Sequence, residues 1–391
     1  ELSWEVARAW EHAGHKKKDI WMLMSLVHFA DDEVVRRLTP GMRPDFAVVV
    51  LEAIGSDAAL MEMATIAGRT ASQGGEWTLG GRIEKLLEQA AAERGVTKDE
   101  LEEDLAPTSE LDESGALVLD YGPRKLEVGF DECLVPYVKN EAGQRTRALL
   151  PARKTDDPDR VERAKSVWRD LKEDVSVIAA RRIRALERAM TSGRTWSLER
   201  FRRVWLDHRL MKHLARGVLW AERVDGAQAT VFRVAEDGSL SDADDSPFEL
   251  GPNAKIGVAH PLHMAKEEIA KWRTVLDDYK IAQPFQQLDR AYAALDTAAA
   301  RVPWPYAAAD LGYQVLLTRL AVRGYVRGPY VQGKYTYRRE LQRGGAIQIE
   351  FKNVKSLVDE LTLVFLSDGK EVPASQLDAI EIADAVYELQ G

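Results

Sequence analysis

The chain has 391 residues, a net charge of −9 at pH 7 and a single cysteine. The acidic balance excludes a protein that is basic over its whole surface, and one cysteine excludes a disulfide framework and a cysteine-rich zinc site. The length predicts two or three domains. The apolar runs are as short as Phe46–Leu51 and predict no membrane span, so we expect a cytoplasmic protein. Because the chain starts at Glu1 without a signal peptide, we interpret it as a piece of a longer protein.

The first 72 residues predict a stack of short helices. Apolar residues recur at intervals of three and four, and this period is regular over Phe46–Ile54 and Ala58–Ala67. Helix pairs of this length favour a HEAT-like lead-in. An amphipathic helix then runs from Ile83 to Gly95, and Thr97–Glu100 has the pattern of a capping box that opens another short helix.

The middle of the chain alternates between strand clusters and helices. Strands are predicted at Gly115–Asp120, Lys125–Phe130 and Cys133–Lys139, and one long helix over 156–190. Further helices are expected at Leu198–Asp207, Arg209–Ala215 and Ala265–Leu276, and strands at Val218–Arg223, Thr230–Val234 and Ile256–Ala259. We assign residues 80–300 to one core domain.

Residues 301–391 are predicted to form a helix followed by a strand-rich tail. The expected helix is Ala307–Val322, and the expected strands are Tyr325–Arg327, Lys334–Glu340, Ala346–Phe351 and Leu361–Phe365. Strands and helices do not alternate as regular βαβ units. The fold class is therefore predicted to be α+β, with a HEAT-like helical stack, a central long helix and small antiparallel β units.

Six ordered blocks between about residues 80 and 330 resemble a bacterial domain of unknown function found in MolR-type and YehI-type proteins, often beside WGR modules. The blocks are Leu119–Arg124, Leu186–Trp196, Leu214–Trp220, Phe232–Gly238, Ala259–Leu262 and Asp278–Leu288. The resemblance implies a regulatory role, since MolR-type proteins have been labelled regulators of molybdate metabolism, and WGR neighbours point to nucleic acid. It supplies no catalytic residues. Val218–Arg223 is not itself a WGR motif.

Charge is distributed unevenly along the chain. Residues 98–132 carry a net charge of −9, whereas residues 181–216 carry +8 and residues 319–343 carry +6. Such segments can solvate the surface or pair with one another, and they can also bind an oppositely charged partner.

The basic segment Tyr325–Arg343 interleaves tyrosines with cations. On a strand, alternate side chains share a face, so aromatic rings could stack bases while cations hold phosphates. The candidate nucleic-acid-binding residues here are Arg327, Lys334, Tyr335, Tyr337, Arg338 and Arg339. The alternative is an ordinary half-buried antiparallel hairpin.

Arg181, Arg184 and Arg188 form a stripe on the long helix and are further phosphate-binding candidates. The stripe could instead pair with the acidic segment 98–132, and we favour that pairing.

An alternative pocket is predicted around His260, Asp278, Tyr279 and Gln283, because carboxylate and imidazole groups can perform acid–base catalysis. The histidine pairs His12/His15 and His260/His263 lack a third ligand, so no metal site is predicted. Acids beside Cys133 argue against a reactive thiol.

These observations lead to one prediction and one alternative. We predict a non-enzymatic, cytosolic regulatory or scaffolding module without a cofactor, which binds nucleic acid or a protein partner through its basic segments. Other domains of a longer parent chain are also expected partners. The alternative is an enzyme or small-ligand-binding domain with a pocket near His260–Gln283.

Overall fold

The computed structural model describes residues 43–70, 78–106, 111–140, 143–223, 229–290, 295–304, 312–341 and 343–390, together with seven single positions before residue 43. Two compact units are present, and each is described by itself. The first comprises residues 1–185 and 202–215, and the second comprises residues 186–201 and 216–391. Within the described ranges, no helix has the length and apolar character that crossing a bilayer requires.

The described residues form ten α-helices and fifteen β-strands, numbered here in chain order. The helices are α1 (Pro44–Ile54), α2 (Asp57–Thr70), α3 (Leu79–Glu93), α4 (Lys98–Asp104), α5 (Pro158–Ser192), α6 (Leu198–Phe201), α7 (Met211–Arg216), α8 (Lys266–Asp278), α9 (Tyr313–Val322) and α10 (Ala379–Gln390). The strands are β1 (Leu117–Asp120), β2 (Lys125–Phe130), β3 (Pro136–Lys139), β4 (Arg145–Thr146), β5 (Thr195–Ser197), β6 (Trp220–Arg223), β7 (Thr230–Val234), β8 (Leu240–Ser241), β9 (Lys255–Val258), β10 (Arg301–Pro303), β11 (Val326–Arg327), β12 (Tyr335–Glu340), β13 (Ala346–Val354), β14 (Leu357–Ser367) and β15 (Lys370–Glu371).

The first unit begins with helices α1 to α4, which share one apolar core. Leu51, Met63, Leu87 and Leu101 supply one almost fully buried side chain from each helix. Helices in this region were predicted and are confirmed, and the core continues across the predicted boundary between residues 72 and 80. A HEAT-like repeat stays a prediction, because most residues before 43 lie outside the described ranges.

A four-stranded antiparallel sheet with the order β1-β2-β3-β4 follows in the first unit. Its strands match the predicted ones, with β4 in addition. Helix α5 then spans 35 residues and confirms the predicted long helix. Its buried stripe follows the predicted apolar spacing and includes Val161, Trp168 and Val175.

The second unit contains a five-stranded antiparallel sheet with the order β5-β9-β6-β7-β8. Trp220 on β6 is fully buried, and its ring meets those of Trp196 and Phe201 edge to face. Edge-to-face packing brings the positive ring edge onto the negative face of the neighbour. A π-helical turn over Arg202–Leu206, which belongs to the first unit, replaces the end of the predicted helix Leu198–Asp207.

The C-terminal sheet of the second unit has the order β10-β14-β13-β12-β11, with β15 paired to β14. Alternate residues of β13, such as Ile347 and Ile349, face a core that α9 and α10 complete. Helix α10 was not predicted, although Ile382, Val386 and Leu389 follow a helical period. Part of the expected helix Ala307–Val322 lies outside the described residues, which resume at Gly312. An α+β fold is confirmed.

Capping stabilises α4. The Thr97 side chain accepts from the Glu100 amide at 3.2 Å, and Glu100 reaches back to the Thr97 amide at 2.9 Å. We expect Thr97→Ala to lower the free energy of unfolding by about 1 kcal/mol, because it leaves helix amides without an acceptor. Urea denaturation followed by circular dichroism measures the change.

The matched control for Thr97→Ala is Ser176→Ala. The Ser176 hydroxyl is exposed on α5 and bonds only to the Glu173 carbonyl within its own helix, so its loss should change stability by less than about 0.5 kcal/mol. Equal effects of the two substitutions would contradict a capping role for Thr97.

Candidate functional site

The predicted tyrosine platform folds as β12 with its aromatic face turned inward. The rings of Tyr335 and Tyr337 both stack near Phe351, with centroids 5.7 and 5.9 Å away. Tyr337 is buried in the core below the sheet, and Tyr335 packs against that core. The ring of Tyr337 is thus used in the core, where buried aromatic area stabilises the hairpin, and base stacking by the partly buried Tyr335 stays a prediction.

The exposed end of this hairpin carries Arg327, Tyr330 and Lys334, which we call the hairpin rim. Tyr330 is 61% exposed, and its ring meets Tyr335 edge to face at 5.0 Å. The Arg327 guanidinium lies 5.7 Å from the Tyr335 ring centroid. Lys334 is 3.5 Å from a carboxylate oxygen of Glu360, a long ion pair. The rim thus places two cations beside an exposed aromatic ring.

Arg338 and Arg339 contact other side chains of the hairpin. The Arg338 Nε lies 2.6 Å from an oxygen of Glu340. The Arg339 guanidinium lies 5.3 Å from the centroid of the buried Tyr325 ring. Both arginines are half-buried. Their charges are therefore partly used inside the hairpin.

The long-helix arginines have different environments. Arg181 donates to Glu102 at 2.5 Å and to Glu84 at 3.4 Å, both in the first unit. This is the intramolecular pairing with the acidic segment that the sequence favours. Arg184 is exposed in the first unit, and Arg188 is exposed in the second unit.

The four residues of the alternative pocket do not line one cavity. His260 is buried against Asp384, whereas the Tyr279 hydroxyl donates to Asp245 at 3.0 Å. Gln283 donates to Gln287 at 3.1 Å and lines a groove of about 1000 Å³, which neither His260 nor Asp278 reaches. The predicted acid–base pocket is therefore not formed by these four residues, because His260, Tyr279 and Gln283 each contact a different part of the structure.

The groove itself lies along the end of α8 and the segment after it. Its lining includes Arg273, Lys280, Gln283 and Gln286. Gln287, which accepts from Gln283, is fully buried; its side-chain amide accepts from the Leu219 N–H and donates to the Leu219 carbonyl. Through Gln287, the groove residue Gln283 is therefore attached to Leu219, the residue before β6.

A buried polar network joins His260 to residues that sequence reasoning missed. The His260 Nδ1 accepts from the Leu262 amide, so its Nε2 donates to Asp384 at 3.1 Å. Arg290 donates to Asp384 at 2.6 Å and also to Glu187. Because Asp384 lies on the unpredicted α10, only the helical period of that segment could have pointed to it.

Arg290 makes two further contacts. Its Nε donates to the Gln286 carbonyl at 2.7 Å, and its guanidinium lies 4.7 Å from the ring centroid of Tyr387. The side chains of Arg290 and Asp384 are excluded from water. Buried charges are tolerated only when paired and hydrogen-bonded, as these are.

Two further kinds of site are a metal centre and a reactive cysteine. In the described part of the chain, no group of three or more His, Cys, Asp or Glu residues is arranged to hold a metal ion. His12 and His15 lie outside that part. Burial, followed by the charges of Asp131 and Glu132, raises the pKa of the Cys133 thiol to about 11.

The chain is similar in sequence to a known protein over most of its length. Residues 143–325 match a family described as a domain of unknown function, DUF4132. The chain is 28% identical over 405 aligned positions to the uncharacterized protein YehI of Escherichia coli (strain K12), covering 98% of this chain and 33% of that protein. The chain is similar to a bacterial family of unknown function. It spans about one third of the length of this relative.

These findings confirm the YehI-type part of the resemblance. An association with MolR-type proteins or WGR modules stays a prediction. No solved structure matches the chain.

The buried network predicts a large stability effect at Asp384. Asp384→Ala leaves Arg290 with one acceptor fewer in a water-free position, so we expect a loss of about 3–5 kcal/mol. Thermal and urea unfolding of the second unit measure it. The control is Asp289→Ala, which removes an exposed partner of Arg273 at 2.9 Å and should cost less than about 1 kcal/mol. Comparable losses would contradict the assigned role of the network.

The pKa of Cys133 predicts slow alkylation at neutral pH. Since the thiolate is the nucleophile, its reaction with iodoacetamide should be about two orders of magnitude slower at pH 8 than that of an ordinary thiol of pKa ~8.5, and should rise until pH passes 11. Mass spectrometry follows the single cysteine. In urea, unfolding removes the burial of Cys133, so the alkylation rate should follow the pH profile of an ordinary thiol. A native profile that levels off near pH 8.5 would contradict the raised pKa.

Proposed function

We propose that this chain is a non-enzymatic regulatory or scaffolding module that binds single-stranded nucleic acid through the hairpin rim. The exposure of Tyr330 carries the proposal. An aromatic side chain that is 61% exposed gains nothing from core burial, and its ring is held in place by the edge-to-face contact with Tyr335. A preordered, open ring suits stacking of a base, which every base permits through its π-face.

The charges beside Tyr330 support the same function. Arg327 is exposed on a two-residue edge strand, and Lys334 follows the turn that carries Tyr330. Arg327 lies over the Tyr335 ring, which limits the positions of its guanidinium. Lys334 shares the Glu360 carboxylate with Lys352, which Asp359 also attracts, so the Glu360 carboxylate is not committed to Lys334 alone. Phosphate groups of a nucleic-acid strand complement such a surface.

A single strand fits this surface better than a duplex. The rim presents one ring on a hairpin end, and stacking requires a base that is free of its partner. Base readout in a duplex uses a helix or a two-stranded ribbon in the major groove, whereas stacking on one ring does not. The neighbouring side chain of Val331 is 48% exposed and adds apolar area beside the ring.

Fluorescence anisotropy with labelled single-stranded DNA, single-stranded RNA and duplex DNA across a salt series tests the proposal. We expect single strands to bind more tightly than duplex. Tyr330→Ala should weaken binding by about 1–3 kcal/mol through lost stacking. Arg327→Ala should lower the slope of log affinity against log salt by about 0.7, because one phosphate contact is removed.

Two matched controls lie on and beside α8. Tyr279→Ala removes another exposed tyrosine, which has its own arginine contact, and Lys271→Ala removes another exposed cation. Both should leave the affinity unchanged. If wild-type protein shows no binding at low salt, or if Tyr279→Ala weakens it as much as Tyr330→Ala does, the assignment to the rim is wrong.

Small-ligand binding is the second candidate, and the groove of about 1000 Å³ beside Gln283 favours it. Small-molecule sites are concave and carry a few fixed polar groups. Here Gln286 accepts from the Tyr387 hydroxyl, which orients its amide group. This candidate does not require His260, whose imidazole is fully engaged in the buried network.

A further inference from the structure

Two arginine side chains converge where α5 ends, within the second unit. Gly193 follows α5 with a φ of 69°, in the left-handed region that favours glycine. A Cβ at this position would lie 1.8 Å from Nη2 of Arg343 and 3.1 Å from Nη1 of Arg223. Because Gly193 has no Cβ, both guanidinium groups can approach the small space beside its Cα, which we call the Gly193 space.

Arg343 is anchored on one side of this space. Its Nη1 donates to Asp378 at 2.5 Å, and its Nε and Nη2 donate to the Ser192 carbonyl at 3.3 and 3.1 Å. The Ser192 carbonyl belongs to the last residue of α5, where unpaired helix carbonyls attract cations. Asp378 also accepts from the first amides of α10, so its position is fixed as well.

Arg223 has no such anchor. It is the last residue of β6, and its Nε is shielded from water without a hydrogen-bond partner among the described residues. Gly257 on the neighbouring strand allows this approach, because a Cβ there would lie 3.2 Å from that Nε. Burial first, and then the charge of Arg343, lower the pKa of the Arg223 guanidinium. An unpaired cation beside a second cation is a costly arrangement unless an anion joins it.

His263 lies close enough to the pair for the charges of both arginines to act on its ring. Burial, and after it the charge of Arg223, lower the pKa of His263, with smaller contributions from His260 and Arg343, while Asp378 opposes them. The neutral ring that results has one N–H to donate. His263 is the last residue of a 3₁₀ turn that begins after the buried His260, and its amide donates to the His260 carbonyl, so its backbone is tied to the polar network.

We propose that Arg223, Arg343 and His263 form a binding site for a phosphate group, with the phosphate oxygens held between the two guanidinium groups over Gly193. This site goes beyond the proposed function and uses none of the rim residues. Asp378 balances the charge of Arg343, and the charge of Arg223 has no acid against it among the described residues.

The chemistry of the site selects phosphate over a simple carboxylate. Guanidinium groups bind anion oxygens through charge-assisted hydrogen bonds, and two of them facing one space favour a group with more than two oxygens. A tetrahedral phosphate offers these oxygens and a charge near −2. A carboxylate has only two oxygens to share between the two guanidinium groups and the His263 N–H. The phosphate can be free or can belong to a nucleotide.

Arginine labelling of the intact wild-type chain tests the site. Phenylglyoxal modifies free guanidinium groups, and peptide mass spectrometry reports each arginine separately. Inorganic phosphate should slow the labelling of Arg223 about tenfold at ten times its Kd, relative to chloride at equal ionic strength. Arg273, an exposed arginine paired with Asp289, is the internal control and should label at an unchanged rate.

Unchanged Arg223 labelling in phosphate up to about 10 mM, ten times a Kd of ~1 mM, would overturn the proposal. Adenosine monophosphate in place of inorganic phosphate identifies the source. Stronger protection by the nucleotide at equal concentration assigns the site to a phosphate ester, and equal or weaker protection assigns it to the free anion. Neither arm uses a nucleic-acid strand, so the result is independent of the hairpin rim.

Substitution gives a second readout that a purely structural arginine would not produce. Phosphate raises the melting temperature of many proteins nonspecifically, so the comparison is between wild type and Arg223→Gln. The variant should lose the additional, saturable part of the shift, and without phosphate it should melt no lower than wild type, because an unpaired charge has been removed. Arg223→Lys should retain part of the shift. A variant that melts lower without phosphate and keeps the wild-type shift would overturn the proposal.

Discussion

The second unit depends on how the buried charge of Arg290 is satisfied. A guanidinium taken out of water must find acceptors for its donors, and here Asp384, Glu187 and the Gln286 carbonyl supply them. These acceptors come from the end of α5, the segment before Arg290 itself and α10. The same Asp384 carboxylate accepts from His260, which is 124 residues away in the sequence. One charge thus ties three distant stretches of chain to the turn after β9.

Charge compensation has another form in the first unit. Arg181 pairs with Glu84 and Glu102, and Arg182, whose pKa is lowered chiefly by burial, donates to the Glu102 carbonyl. The long helix therefore uses part of its positive charge on the acidic segment of its own unit. Part of this run of like charges is thus an internal contact, while phosphate binding by the exposed Arg184 and Arg188 stays a prediction.

The basic C-terminal segment shows how burial divides one sequence pattern into two roles. The alternating tyrosines of β12 turn toward Phe351, while Tyr330 in the preceding turn stays exposed. Arg343, at the end of the same segment, points to α5 and Asp378. The hairpin rim and the Gly193 space are therefore separate places in the structure. The rim carries an exposed aromatic ring, and the Gly193 space is lined by two guanidinium groups.

Local structure in this chain could be read from the sequence, because a helical or alternating period and a capping box at Thr97 act over a few residues. The long helix, the central strands and the α+β class were predicted in this way, and α10 could have been. The partners of individual charges could not be predicted. Whether Arg181 is compensated and where Arg343 lies relative to the end of α5 depend on elements about 80 to 150 residues apart, and the burial of Tyr337 depends on packing against the neighbouring strand. Only tertiary packing decides those distances, since the free energy of a charge depends on what surrounds it and not on its position in the sequence.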